Sequence, residues 1–307
     1  MHRLALCWIA VTLLGTGCGG FLRGQALQTT SGILARAQPS LQQESDYELA
    51  ARAIPGALKT IEGFWIVDPD KASQLVPVLT EGFCQYGTAF VEDEWEIAVF
   101  AKKLDEAAYH NTRATKMFMR CLNYALTTLG PDFQKDLFAS NEVAAARIQR
   151  TDDRTALMWA AFGLGSIIFH NLGNPDMLAL RGTVQRMMEH VIELDAKNPP
   201  GDLQLAALPH VGLGQLYGAL SPALGGDPAK AATEFQIALK ITNNKFLLAR
   251  ALWGYSGRTS NNQKLFHEQL KQVLETPPSV WPEQRLANEV AHRRARRYLS
   301  HEKEWFQ

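Results

Sequence analysis

The sequence predicts an all-α protein built of stacked helical hairpins, and three observations predict it. From about Glu44 onward no run alternates apolar and polar residues with β-branched enrichment, and neither Asn-Gly nor Asp-Gly occurs to close a β-hairpin. Proline follows a capping residue at Asp68-Pro69, Asn174-Pro175 and Asp227-Pro228, the arrangement of a helix start. Gly163-Leu164-Gly165 returns 49 residues later as Gly212-Leu213-Gly214, each time inside an apolar helical stretch followed by a proline-initiated helix. Repetition at that scale points to stacked helix pairs.

The beginning of the chain stands apart from this pattern. Met1-His2-Arg3 supplies a short positive head, and Leu4 to Leu14 is an apolar run of signal-peptide length. It is shorter than the roughly 20 residues that a spanning helix needs. Gly15-Thr16-Gly17-Cys18 follows, similar to a bacterial lipoprotein signal cut before a lipid-bearing cysteine, with Gly15 where leucine is usual. The expectation is a signal peptide over 1–17, lipidation at Cys18, a flexible tether over 18–43 and a helical body over 44–307. An ordinary secretory signal with an incidental cysteine is the alternative. Several acyl chains on Cys18 would hold the protein firmly to a membrane. Gly19 after the cysteine, in place of Asp, makes the outer membrane the expected destination.

Within the body, helices are expected near 46–66, 70–90, 94–129, 131–139, 141–149, 153–171, 176–195, 202–220, 228–242, 245–257, 261–275 and 282–300. Gly130-Pro131, Asn198-Pro199-Pro200-Gly201 and Pro277-Pro278 punctuate them. Pro55 and Pro77 fall inside two of these and should kink or split them. The best repeat reads Leu213-Gly214 with Tyr217 on one helix, then Ala231, Phe235 and Ala238 on the next. This fits the tetratricopeptide signature, in which small residues admit close approach and an aromatic fills the groove. Trp159, Phe162 and Gly163, facing Val184, Met188 and Val191, form a poorer copy. Ala114, Phe118 and Cys121 form a partial third, so the repeats are degenerate.

Composition bounds the function classes. Lys and Arg number 31 against 31 Asp and Glu, so no basic excess serves nonspecific nucleic-acid binding. The apolar fraction of 46% belongs to a packed protein and not to a disordered chain. With Cys7 in the signal and Cys18 acylated, Cys84 and Cys121 remain. Both sit among apolar neighbours and read as buried thiols, with a single bridge between them open in an oxidising compartment.

Catalytic and metal chemistry is poorly represented, so no cofactor and no metal is expected. None of the histidines joins a dense ligand spacing; His190 with Glu193 shares a helix face and nothing more. Neither Gly-Leu-Gly follows a strand or completes a dinucleotide fingerprint. Gly254-Tyr255-Ser256-Gly257 lacks the spacing of a nucleophile elbow. The acidic run Glu92-Asp93-Glu94 and the pair Asp152-Asp153 are read as helix starts favouring the positive end of the dipole. The basic run His292-Arg293-Arg294-Ala295-Arg296-Arg297 is read as the solvated face of a final amphipathic helix, with a patch for an acidic partner as the sharper alternative. Among the aromatics, Trp159, Tyr217, Trp253 and Tyr255 are the candidates for lining a cavity that takes an amphipathic ligand.

Taken together, Leu157 to Gly163, Val191 to Asp195, Gly225 to Ala231 with Phe235 and Ala238, Phe266 with Leu270, and Leu286-Ala287-Asn288 leading to Ala295 resemble the TatT component of TRAP transporters. The resemblance runs from about residue 45 to the end. It implies a periplasmic lipoprotein without a catalytic centre, forming homotrimers with a pore through each subunit. It also implies binding to the periplasmic solute-binding (P) protein of the transporter and relay of a hydrophobic or organic-acid ligand. A tetratricopeptide-like adaptor in envelope assembly, with an open groove for peptides, is the second reading, and a hidden helical hydrolase the third.

Overall fold

Side-chain caps fix where many of the helices begin. In the computed structural model, which describes residues 24–306, Asp46, Asp153, Asp227 and Asn262 each accept a hydrogen bond from the backbone N–H three residues on. Each satisfies a donor that the first turn leaves unpaired. The order is α1 (24–37), α2 (Pro39–Gln42), α3 (Tyr47–Val67), α4 (Val76–Tyr86), α5 (Glu92–Phe100), α6 (Leu104–Leu129), α7 (Pro131–Leu137), α8 (Asn141–Gln149) and α9 (Arg154–Phe169). Then come α10 (Pro175–Ala179), α11 (Arg181–Lys197), α12 (Leu203–Gly218), α13 (Pro228–Ile241), α14 (Leu247–Thr259), α15 (Gln263–Glu275), α16 (Arg285–Ser300) and α17 (Glu302–Trp305). Every regular element among the described residues is helical, as the all-α reading requires.

Several boundaries differ from expectation, each for a local reason. Residues 24–42, expected as part of an irregular tether, are largely helical. Leu27, Leu34 and Leu41 recur every seven residues and lie against the core, and the Gln74 side chain donates to the Gln28 carbonyl at 2.6 Å. The signal peptide and Cys18 lie outside the described residues. Asp68-Pro69 does not open a helix: Asp68 closes α3, and a turn and a short 3-10 segment precede α4, which takes Pro77 in its first turn. Pro55 leaves α3 unbroken, since buried Ile54, Leu58 and Ile61 hold its inner face. The helix expected over 94–129 is interrupted at Lys102, whose φ of 59° no helix interior accepts. A turn of π-helix at Gly87–Val91 joins α4 to α5.

The longer helices pack in chain order, α4 on α6, α6 on α9, α9 on α11, α11 on α12, α12 on α13, α14 on α15 and α15 on α16. Glycine decides the closest crossings. A β-carbon on Gly214 would lie 2.9 Å from the Phe235 ring, so this aromatic rests on bare backbone. A β-carbon on Gly163 would stand 3.1 Å from the Leu122 backbone nitrogen, which places the first copy against α6, while Gly165 meets Val184 of α11. Cys84 and Cys121 lie with Cα atoms 5.2 Å apart and are bridged, joining α4 to α6 across a 37-residue separation. Buried thiols are therefore not their state, because the hairpin packing brings the two β-carbons face to face.

Candidate functional site

The site starts from two sequence triplets with one spacing. Glu92, Asp93 and Glu96 on α5, and Arg293, Arg294 and Arg297 on α16, occupy positions i, i+1 and i+4, so each set projects from one side of its helix. Arg293 Nε donates to Asp93 Oδ2 and Arg297 Nη1 to Asp93 Oδ1, both at 2.6 Å. Arg294 Nη2 donates to Glu92 Oε2 at 3.0 Å and to the Thr88 carbonyl, in the π-turn, at 2.6 Å. Arg297 also pairs with Glu96, which accepts from the Tyr298 hydroxyl at 2.6 Å. Asp93 is fully buried and Arg294 is 2% exposed. Both earlier readings of these runs are thus corrected. Of the basic run only Arg296 is exposed. Arg293, Arg294 and Arg297 are not a solvated face, and the acidic run is more than a helix start, because the two sets neutralise each other across some 200 residues of chain.

Burial by itself would raise the carboxyl pKa values of Glu92 and Asp93. The hydrogen bond with His170 and the charge of Arg294 overcome it at Glu92, and Arg297 with Arg293 at Asp93, so both fall below the ordinary carboxylate range. Burial pushes the Tyr298 hydroxyl well up, and Glu96 adds to the shift. His170, wholly buried, sits 3.2 Å from Glu92 on one nitrogen and 2.7 Å from the Asn111 side chain on the other.

This charged wall closes one end of an apolar chamber between α9, α11, α12 and α14. Phe162, Val184, Leu216, Phe235 and Leu252 line it, with Glu92, Glu96, Arg294 and Tyr298 in the same lining, and its cavity volume is about 140 Å³. Gly165, Gly212 and Gly218 also line it, so the repeated glycines make room for a cavity as well as for helix contact. A middle chamber shares Phe162, Gln215 and Leu252 with the first; Trp159, Leu208, Val211 and Phe246 form its apolar wall, and its cavity volume is about 90 Å³. A third, roofed by Leu34 and Leu41 of the N-terminal helices over Ile54, Leu58 and Phe90, shares Gln42, Gln85, Ala89 and Leu286 with the middle one. Three chambers thus follow one another through the body, separated by shared side chains.

The sequence-named aromatics divide between these walls and the packing around them. Trp159 lines the middle chamber and Tyr255 the first, where its ring stacks on Tyr298 with centroids 4.4 Å apart. Tyr217 is outside the three linings, under the Lys230 ammonium at 5.4 Å. Trp253 is outside them too, its indole N–H buried without a partner among the described residues. Sequence reasoning missed Glu92, Glu96, Arg294, Tyr298 and the glutamines of the middle chamber. The matching spacing of the two charged triplets was the available signal for the first three. Among the described residues no three His, Cys, Asp or Glu side chains gather in metal-binding geometry, and no helix is long and apolar enough to cross a membrane.

Comparison with known proteins gives two findings. The family described as the TRAP transporter T-component matches residues 43–306. An uncharacterised protein of Treponema pallidum (strain Nichols) is 27% identical over 288 residues, covering 86% of this chain and 81% of that protein.

Proposed function

The chain belongs to the TRAP transporter T-component family, and from that premise, which gives it an accessory role in TRAP transport, we propose a non-catalytic ligand relay for solute uptake. In this reading it is a periplasmic lipoprotein held at the outer membrane through Cys18. It assembles as a homotrimer, binds the periplasmic solute-binding (P) protein, and passes a hydrophobic or organic-acid ligand along an internal route. The observation that carries the reading is the succession of three chambers with mainly apolar walls. Concave, mainly apolar space of this kind suits an amphipathic molecule.

The test has two arms. Co-purification of the tethered protein with its P protein, followed by mass spectrometry of extracted small molecules, should return a stoichiometric partner and an amphipathic ligand. Replacing Phe162, which stands between the first two chambers, by Trp should leave partner binding intact and slow transfer of ligand. A monomer that holds neither partner nor ligand overturns the proposal.

A further inference from the structure

The middle chamber differs from its neighbours in the kind of polarity it carries. Its walls are apolar, no charged side chain lines it, and its polar members are Thr88 and five glutamines: Gln42, Gln85, Gln204, Gln215 and Gln284. They come from four separate parts of the chain. Gln204, Leu208, Val211 and Gln215 follow one another at helical spacing along a single face of α12, so amides stand at both ends of an apolar strip. Gln42 of α2 and Gln85 of α4 both donate to the Glu81 carboxylate at 2.8 Å, which fixes their direction. Gln284 comes from the short turn before α16, which packs on α2.

Two of these amides are deeply buried and unused. Gln204 is 6% exposed and Gln284 4%. Neither side chain makes a hydrogen bond among the described residues, and both line the chamber. The Thr88 hydroxyl, in the same lining, is buried without a partner among the described residues. Such a group is costly to the folded state, and the space beside it and the two amides is where a partner would sit. Each amide offers both N–H donors and a carbonyl acceptor. A group that itself both donates and accepts satisfies such a wall. An ionised carboxylate only accepts and would meet no cation here.

We propose that the middle chamber selects its ligand by an uncharged head group that both donates and accepts hydrogen bonds, an alcohol or a primary amide on a single apolar chain, and discriminates against the ionised carboxylate of the same chain. This rests on the reading of the chambers as ligand space and narrows the ligand within it. The charged wall of the first chamber has no part in the discrimination.

The experiment compares decanol, decanamide and decanoate as probes on the full mature protein at about pH 8, well above the ordinary carboxylic-acid range. Trp159, in the wall of the chamber, gives a fluorescence signal, and calorimetry gives the stoichiometry. Decanol and decanamide should bind about 10-fold or more tightly than decanoate, the cost of an unpaired anion in an apolar chamber. In Gln204→Leu/Gln284→Leu that preference should shrink to about 3-fold or less as the amide partners go. The wild-type comparison stands whether or not the double variant folds, and single Leu variants give the intermediate step. Decanoate binding as tightly as decanol, or a preference that survives the double substitution, overturns the inference while the ligand-relay reading stands. Failure of all three probes to bind removes both.

Discussion

Replacing Arg294 by Met tests whether the charge cluster holds α16 against α5. Arg294 is 2% exposed and donates to Glu92 and to the Thr88 carbonyl, with Glu96 at 3.8 Å. Methionine fills much of the same volume and removes the charge. Breaking a buried pair by removing one partner costs about 3–5 kcal/mol, because the other charge stays buried without compensation. Glu92 keeps His170, and Glu96 keeps Arg297 and Tyr298. The lower end, about 3 kcal/mol, is therefore expected, which is roughly a hundredfold in the folding constant. Urea unfolding at neutral pH, followed by far-UV circular dichroism and tryptophan fluorescence together, should show a lower midpoint and an unchanged slope. Glu92→Gln in the same background should restore part of the loss, with a coupling of about 1 kcal/mol or more. A loss below about 1 kcal/mol with no coupling would refute the reasoning, since that is how exposed ion pairs behave.

Three further outcomes follow from the same geometry. Glu92 and Asp93 have folded pKa values below their unfolded ones, so they stabilise the protein above the unfolded carboxylate range of about 4 and lose that contribution as pH falls through the lower folded values. An acid titration of stability should fall steeply there, and the fall should flatten in Asp93→Asn. Gly214→Ala places a methyl group 2.9 Å from the Phe235 ring and should cost about 1–3 kcal/mol by thermal unfolding, whereas Gly173→Ala, with open space around it, should cost far less. Opening the Cys84–Cys121 bridge by Cys84→Ala/Cys121→Ala releases a loop of 37 residues and should lower stability by up to about 4 kcal/mol in the chain-entropy account, with reductant giving the same shift in the wild type.

What was legible in the sequence was legible because its physics is local. Asp153, Asp227 and Asn174 announced helix starts, and they cap helices, because a cap needs only the next few residues. Asp68-Pro69 carried the same signature and failed, because the residues after it form a turn held by the packing of Leu75 and Val76 into the core. The seven-residue recurrence of Leu27, Leu34 and Leu41 was present in the expected tether, but its partners, among them Ile54, Leu58 and Leu286, come from elsewhere in the chain. Of the aromatics named for a cavity, Trp159 and Tyr255 line chambers and Tyr217 and Trp253 do not, because helical spacing tells which residues share a face and not what that face meets.

The sequence by itself determined the helical class, the caps, the glycine-for-aromatic crossing of α12 on α13 and the family. Each of these depends on contacts within one helix or between consecutive ones. Only the tertiary structure decided that three arginines of α16 pair with the carboxylates of α5, that two cysteines 37 residues apart are bridged, and that glutamines from four parts of the chain line one chamber. Those outcomes depend on distance in space. Periodicity along a chain carries no information about which of two faces, some 200 residues apart, will be brought close enough for charge to meet charge.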